Sequence, residues 1–566
     1  MASLAPPRTI SRRRRVLVEN LTAYAFLLPA ALLIFIFGLF PVAFALFVSL
    51  HRWRRFPDEY IGLANYERAL GGLAYVAFFW IALGFIVGGL WLLWRLMSPP
   101  PTTPSDNPEE KNSRQGRWSW REGIYLLPGV VNTAAILLFS QWFVLLLPEV
   151  LNIPRRIRGQ ETTQGLFVSE LSKSFQVPAI AEAGNQAIVL ILIAILLSIV
   201  VTRLVKGSGT TALLRATGAA LFVASGSLML QITLATINTA IETARAGGTE
   251  LPIWSQIILI SAGAGLVYAA YRLWGRAVRA EGDRRFIGLG ITALLLALGG
   301  YLLIGELPRL LGTADRELLN GFSVTVMYAA FAIPFQLMIG LGLADLLFQK
   351  LKGTTLFRII LFMPYIMPFL ATALVFSLIF NHRTDSIINN LVGWVGIPPQ
   401  KWLLEPLGVG RLIFGEATPT LLQGPSLALV VVILYTIWTY AGYAMVVFLA
   451  GLGNISNELY EAARIDGASG WAIFRRITLP LLSPTTFFLS LVAVIGTFQA
   501  FTQLWLMRNP AARDTLDTVS IVIFRQITDA SPNYGYGSAM AFVLFGVILL
   551  LTFVQNRLAE RRVFYG

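Results

Sequence analysis

Long apolar runs separated by short polar connections dominate the chain from about residue 22 to residue 556. A bilayer is crossed by about 20 predominantly apolar residues in helical form. Runs of that kind centre on 22–50, 72–96, 124–147, 186–204, 212–236, 255–272, 286–304, 319–348, 357–380, 425–450, 484–506 and 536–556. The pattern predicts an all-α, polytopic integral membrane protein with about 12 transmembrane helices, and it shows neither a convincing internal repeat nor the period-two alternation of a strand. An even number of spans puts both termini on one side. Basic residues at 12–15, 272–285, Lys350, Lys352 and 557–562 then share that side, which the positive-inside rule makes cytoplasmic. Arg52, Arg54 and Arg55, and later Arg155, Arg156 and Arg158, fall on the opposite side and run against the rule.

Three polar stretches interrupt this pattern. Residues 98–119 are proline-rich and polar, which predicts a disordered cytoplasmic connector. The connection 151–183 is long enough to hold an amphipathic helix around 166–175, lying outside the membrane. The third stretch, ELYEAARIDGASGWAIFRRITLPLL at 458–482, reads as a helix over 458–466, a break at 467–470 and a second helix over 471–478 before Pro480. Leu459, Ala462, Ala463 and Ile465 make a narrow apolar stripe, while Glu458, Glu461, Arg464 and Asp466 point elsewhere. Such a hairpin faces water or another protein, not lipid.

Composition narrows the chemistry. The chain is 56% hydrophobic and 13% charged, against about 25% charged for an average soluble domain. With no cysteine, disulfides, thiolate catalysis and cysteine metal sites are excluded, and two histidines leave little room for a histidine-ligated metal. The formal charge of +14 is what cytoplasmic helix ends accumulate in a polytopic protein, and it does not argue for nucleic acid. The first apolar run follows RRRR, lacks a small-residue cleavage site and is expected to stay as a retained span. No GK dipeptide occurs, so no phosphate-cradling loop of the GxxxxGK[ST] type is present.

The hairpin carries Glu461, Ala462 and Ala463, then Gly467, then Ile477, Leu479 and Pro480, at the spacing EAA, three residues, G, nine residues, I, one residue, LP. This resembles the signature of permease subunits of binding-protein-dependent ABC importers. LLPAALLIFIFGLFPVAFALFVSL with IGLANYERAL near the start is similar to the first span of sugar-type permeases. NGFSVTVMYAAFAIPFQLMIGLGLADLL, FRIILFMPYIMPFLATALVFSLIFN, YAGYAMVVFLAGL and NYGYGSAMAFVLFGVILLL look like parts of the remaining five spans of the maltose and glycerol-phosphate type. The resemblance covers about 300 residues in two blocks. It implies three parts: 1–70 with the first core helix, 71–318 as an inserted block of about six helices containing the 98–119 linker, and 319–566 with five core helices and the coupling hairpin 458–482. Six inserted helices are an even number, so the alternation of the six-helix core survives them.

The resemblance also implies a mechanism and partners. The first hairpin helix would dock in a cleft of an ATPase, with Glu461 making charge-assisted contacts, Ala462 and Ala463 permitting close approach, Asp466 beside the turn, Gly467 making the turn, and Pro480 starting the following span. The implied partners are a second permease subunit, an ABC ATPase dimer carrying ATP and Mg, an extracytoplasmic solute-binding protein and a sugar. The implied place is the bacterial inner membrane, with no cofactor on this chain and no enzyme activity. A sugar path needs hydrogen-bonding and stacking groups near the midplane, for which Gln336, Tyr365, Tyr440, Tyr443, Gln499, Thr502 and Gln503 are the candidates. Ordinary helix–helix hydrogen bonding and aromatic anchoring account for the same residues. Two rival readings are a twelve-helix secondary transporter, which calls for related halves and intramembrane acids, and a membrane enzyme using the inserted block, for which only the 155–170 loop collects charge.

Overall fold

The computed structural model describes residues 12–54, 57–97, 123–157, 164–205, 209–279, 281–349 and 352–560. The 98–119 connector, Arg158, Gly159 and Lys350 lie outside these residues. Among the described residues, ten helices are long and apolar enough to cross a bilayer: Thr22–Ser49, Leu73–Met97, Leu126–Arg156, Pro178–Leu204, Gly209–Ala246, Ile253–Ala277, Asp283–Leu311, Arg316–Phe348, Leu427–Gly453 and Tyr534–Ala559. Two more spans are bent pairs, Thr354–Ile366 with Phe369–Ile379 at 95° and Gly470–Leu481 with Ser483–Phe498 at 62°. Each pair taken as one span, the total is twelve, and the protein is all-α and polytopic. The amphipathic helix is Gln164–Gln176. A short antiparallel pair, His51–Trp53 with Pro57–Tyr60, escaped the sequence pattern because three or four residues are too few to alternate visibly.

The chain divides into two compact units. The first comprises residues 1–65, 73–306 and 533–539, and the second comprises 66–72, 307–532 and 540–566. The first span falls in the same unit as residues 73–306; Phe40, for example, meets Phe143 edge-on with ring centroids 6.0 Å apart.

In the first unit, helices approach where side chains are missing. A Cβ on Gly89 would lie 2.9 Å from the Ala219 carbonyl oxygen, one on Gly226 would lie 2.8 Å from the Ala82 carbonyl oxygen, and one on Gly129 would lie 2.9 Å from the Ala216 Cβ. Lipid tails are as apolar as leucine, so such small-residue packing and interhelical hydrogen bonds hold the bundle. Asn132 ties three helices together, donating to Thr217 Oγ1 at 3.2 Å and accepting from Ser198 Oγ at 3.3 Å.

In the second unit, Arg316–Phe348 and Leu427–Gly453 form the central pair. Asp315 caps the first, its Oδ1 accepting from the Glu317 and Leu318 N–H groups at 2.8 and 3.3 Å, and Ser426 caps the second through Leu429 N at 3.1 Å. The bent span crosses this pair at Gly442, where a Cβ would meet the Leu361 carbonyl oxygen at 1.9 Å. Its bend follows from chemistry: Pro368 has no N–H to give and biases Met367 to its extended conformation, ψ 146°. Outside the spans, Asp517 is 1% exposed and accepts from Arg508 at 2.5 and 3.0 Å and from Arg525 at 3.0 Å. Removing the carboxylate leaves two guanidinium groups facing one another, so Asp517→Ala is expected to cost about 3 kcal/mol. A thermal-unfolding profile of detergent-purified protein checks this, with Asp385→Ala, an exposed carboxylate, expected to match wild type within about 0.5 kcal/mol.

Candidate functional site

Two places in the second unit collect the residues singled out from sequence. The first is the polar hairpin. Ser456 Oγ accepts from Glu458 N at 3.3 Å and starts the helix Asn457–Ile465. Gly467, at φ 74°, takes the left-handed conformation that ends it, and Ala468 N closes back on Ala463 O at 2.9 Å. Ser469 then caps the second helix, Gly470–Leu481, through Ala472 N at 3.3 Å. Tyr460 OH and Thr478 Oγ1, 3.3 Å apart, tie the two helices together.

Glu461, Ala462 and Asp466 are exposed, Ala463 and Ile477 are half-buried, and Leu479 is at the surface. Pro480 stands inside the bent span Gly470–Leu481 with Ser483–Phe498, not at its start, where the resemblance implied it. A π-helical turn, Phe474–Thr478, carries the second helix on through Leu479–Leu481, and the next helix opens at Ser483 with Pro484 in its first turn. The wider turn accommodates a proline that cannot donate to the ladder. Sequence reading also gave the hairpin too little apolar surface: Ile465 is 86% exposed, Trp471 68% and Leu459 46%, with Trp471 stacked on Phe474 at 5.6 Å. Exposed leucine, isoleucine and tryptophan beside Glu461 and Asp466 make a surface that can enter an apolar groove with a polar rim.

The second place is a cavity of about 130 Å³ among Arg316–Phe348, the Thr354–Ile366 half-span, Leu427–Gly453, Ser483–Phe498 and Thr502–Met507. Five candidates line it: Gln336, Tyr365, Tyr440, Tyr443 and Gln503. Tyr365 stacks on Tyr443 at 4.8 Å and meets Tyr440 edge-on at 5.8 Å. Gln336 is 5% exposed and its Oε1 is buried with no hydrogen-bond partner. Gln503 Nε2 donates to Tyr328 OH at 3.2 Å. Gln499 and Thr502 do not line the cavity and are exposed, because the helix assumed to run through them ends at Phe498 and restarts at Thr502.

The sequence reading missed Tyr328, Thr436 and Thr497, which complete the polar lining. Thr436 stands one turn before Tyr440 and two before Tyr443, a spacing of four and seven that marks one helix face and could have revealed it. On the opposite wall Leu489, Val492, Ala493, Gly496 and Thr497 repeat the same periodicity.

The family model for the binding-protein-dependent transport system inner membrane component matches residues 336–565, a stretch that contains the hairpin and most of the cavity. Similar proteins include the lactose transport system permease protein LacF of Rhizobium radiobacter, 30% identical over 242 residues, which are 42% of this chain and 74% of LacF. A probable ABC transporter permease of Bacillus subtilis, YesP, is 31% identical over 45% of this chain and 76% of its own length. The trehalose/maltose transport system permease protein MalF of Thermococcus litoralis is 26% identical over 44% and 76%.

The chain belongs to this family of binding-protein-dependent permeases. It is a multi-pass transmembrane permease of an ABC importer, a transporter and not an enzyme, and neither the secondary-transporter nor the membrane-enzyme reading is favoured.

Proposed function

We propose that this permease conducts a carbohydrate across the bacterial inner membrane, with both termini cytoplasmic, and takes its driving force from a separate ABC ATPase dimer docked on the hairpin. The observation that carries the reading is the hairpin itself. The seven signature positions stand at fixed spacing on a capped, exposed helix–turn–helix whose tip presents Ile465, Trp471, Glu461 and Asp466. A rigid-body drive needs such a stiff element. ATP and Mg are held by the ATPase.

Lactose in one relative's name and trehalose/maltose in another's support a sugar as the cargo. The stacked tyrosines and glutamines of the cavity support it independently, since aromatic faces and amides are what sugar rings and hydroxyls contact. At about 130 Å³ the cavity is well below the ~300 Å³ at which ligand pockets begin. Passage therefore requires the surrounding helices to part, and a second permease subunit completes the path while an extracytoplasmic solute-binding protein delivers the sugar.

Co-purification tests the reading. Tagged chain expressed with the products of its neighbouring genes is expected to retain an ATP-binding subunit and a second permease through detergent extraction. Retention of neither overturns the proposal.

A further inference from the structure

A groove of about 290 Å³ opens in the first unit where Leu126–Leu151, the amphipathic helix Gln164–Gln176 and Pro178–Leu204 meet. Phe139 and Trp142 form one wall, and Phe175 of the amphipathic helix lies against Trp142 with ring centroids 6.2 Å apart. The facing wall runs from Ile180 to Ile191, about 16 Å of helix at 1.5 Å per residue. Phe139 and Ile188 are exposed, so the groove opens sideways, toward what surrounds a bundle of spans: lipid.

The second wall changes character along its length. Glu182, Asn185 and Gln186 give way to the unbroken apolar run 187–197, and such a change marks the edge of the hydrocarbon layer. A Cβ on Gly184 would lie 2.8 Å from Trp142 Nε1, which sets the indole N–H at the level of Asn185. Both residues line the groove, and among the described residues neither the indole N–H nor the Asn185 amide makes a hydrogen bond. Donors left against hydrocarbon are costly. The ester carbonyls of a glycerophospholipid are acceptors at this depth, with an acyl chain below them to fill the apolar part.

Charge selects the headgroup. Lys173, two residues before Phe175, is exposed and pairs with Glu170 at 2.7 Å. Glu182 is exposed, takes a hydrogen bond from Gln186 Nε2 at 3.3 Å and has no cation paired to it among the described residues. Cation and carboxylate beside one groove complement a phosphate and an ammonium on the same molecule, whereas an anionic headgroup would meet Glu170 and Glu182 as like charges.

We propose that this groove is a binding site for a zwitterionic aminophospholipid, with its ester carbonyls on Trp142 and Asn185, its ammonium on Glu182 and one acyl chain along Ile188 and Ile191.

Native mass spectrometry of the delipidated full chain tests it, with phosphatidylethanolamine and phosphatidylglycerol of identical acyl chains as probes. The first equivalent of phosphatidylethanolamine is expected to bind at least about fivefold more tightly than phosphatidylglycerol. Asn185→Leu should weaken it about fivefold, Ile188→Trp at least about tenfold by filling the groove, and Glu182→Gln should bring it down to the phosphatidylglycerol level. Gly265→Leu, at an exposed glycine with open space on Ile253–Ala277, should leave it unchanged. Size-exclusion profiles matching wild type establish that the variants fold. A photo-reactive benzoylphenylalanine at Ile188, irradiated in cell membranes, is expected to add the mass of one phospholipid. Equal affinity for the two lipids, unchanged binding in Ile188→Trp, no bound lipid, or a protein adduct at Ile188 overturns the proposal.

Discussion

Glu461→Lys is expected to abolish ATP-driven uptake while the chain still inserts and purifies as wild type. Glu461 is exposed on the first hairpin helix and makes no side-chain hydrogen bond or ion pair among the described residues, so its replacement is expected to leave the membrane domain intact. Its expected effect lies at the proposed docking surface, where a reversed charge buried against the ATPase would be left uncompensated at a cost of several kcal/mol, enough to weaken docking by about 100-fold or more. Gly467→Pro is expected to reach the same end through the backbone, because φ 74° is closed to a ring held near −65°. Proteoliposome uptake and retention of the ATPase are the readouts. Uptake near the wild-type rate in both variants would remove the hairpin from the coupling mechanism. A milder change, Ile465→Ser, is expected to weaken ATPase retention without abolishing it, since it removes apolar contact from the tip and no charge.

Gly442→Val has the largest expected effect on folding. The Leu361 carbonyl oxygen occupies the place of the missing side chain, at 1.9 Å from an ideal Cβ, and backbone cannot yield as a flexible side chain can. A branched side chain must push the Thr354–Ile366 half-span off the Leu427–Gly453 helix, carrying Tyr365 away from Tyr440 and Tyr443 and opening the cavity. The cost exceeds about 4 kcal/mol and is expected to eliminate the monodisperse folded peak in fluorescence-detected size exclusion. Gly453→Ala, on the same helix but with nothing within 4 Å of its Cβ, is expected to behave as wild type. Normal folding of Gly442→Val would mean that the two elements do not cross there.

The spans were legible because lipid allows few alternatives: a segment that crosses it must be apolar for about 20 residues, and that requirement is written into the composition of each run. The hairpin was legible for the converse reason, its charges and Gly467 standing between two apolar runs. Less could be read where conformation depends on neighbours. The 357–380 run reads in sequence as one span; Pro368 stands at its break, and the 95° angle depends on what the two halves pack against. The end of the helix at Phe498 carries no proline or glycine at the break itself, so Gln499 and Thr502 were placed on a continuous face that does not exist. Gly442 resembles many membrane glycines in sequence, and only the crossing distinguishes it. Tyr328 and Thr436 passed as ordinary helix residues until their mutual hydrogen bond placed them at the cavity with Gln503.

The central claim is that the Asn457–Ile465 hairpin helix works from the cytoplasm. A single cysteine tests it cleanly, because the native chain contains none. Gly470 is exposed and has nothing within 4 Å of its Cβ, and Gly248, between Gly209–Ala246 and Ile253–Ala277, is exposed with open space about its Cβ, its φ of 74° adding only local strain to a cysteine in a surface turn. An impermeant maleimide applied to intact cells is predicted to label Gly248→Cys and leave Gly470→Cys untouched until the membrane is permeabilised. Labelling of Gly470→Cys from outside the intact cell would contradict both the topology and the coupling role.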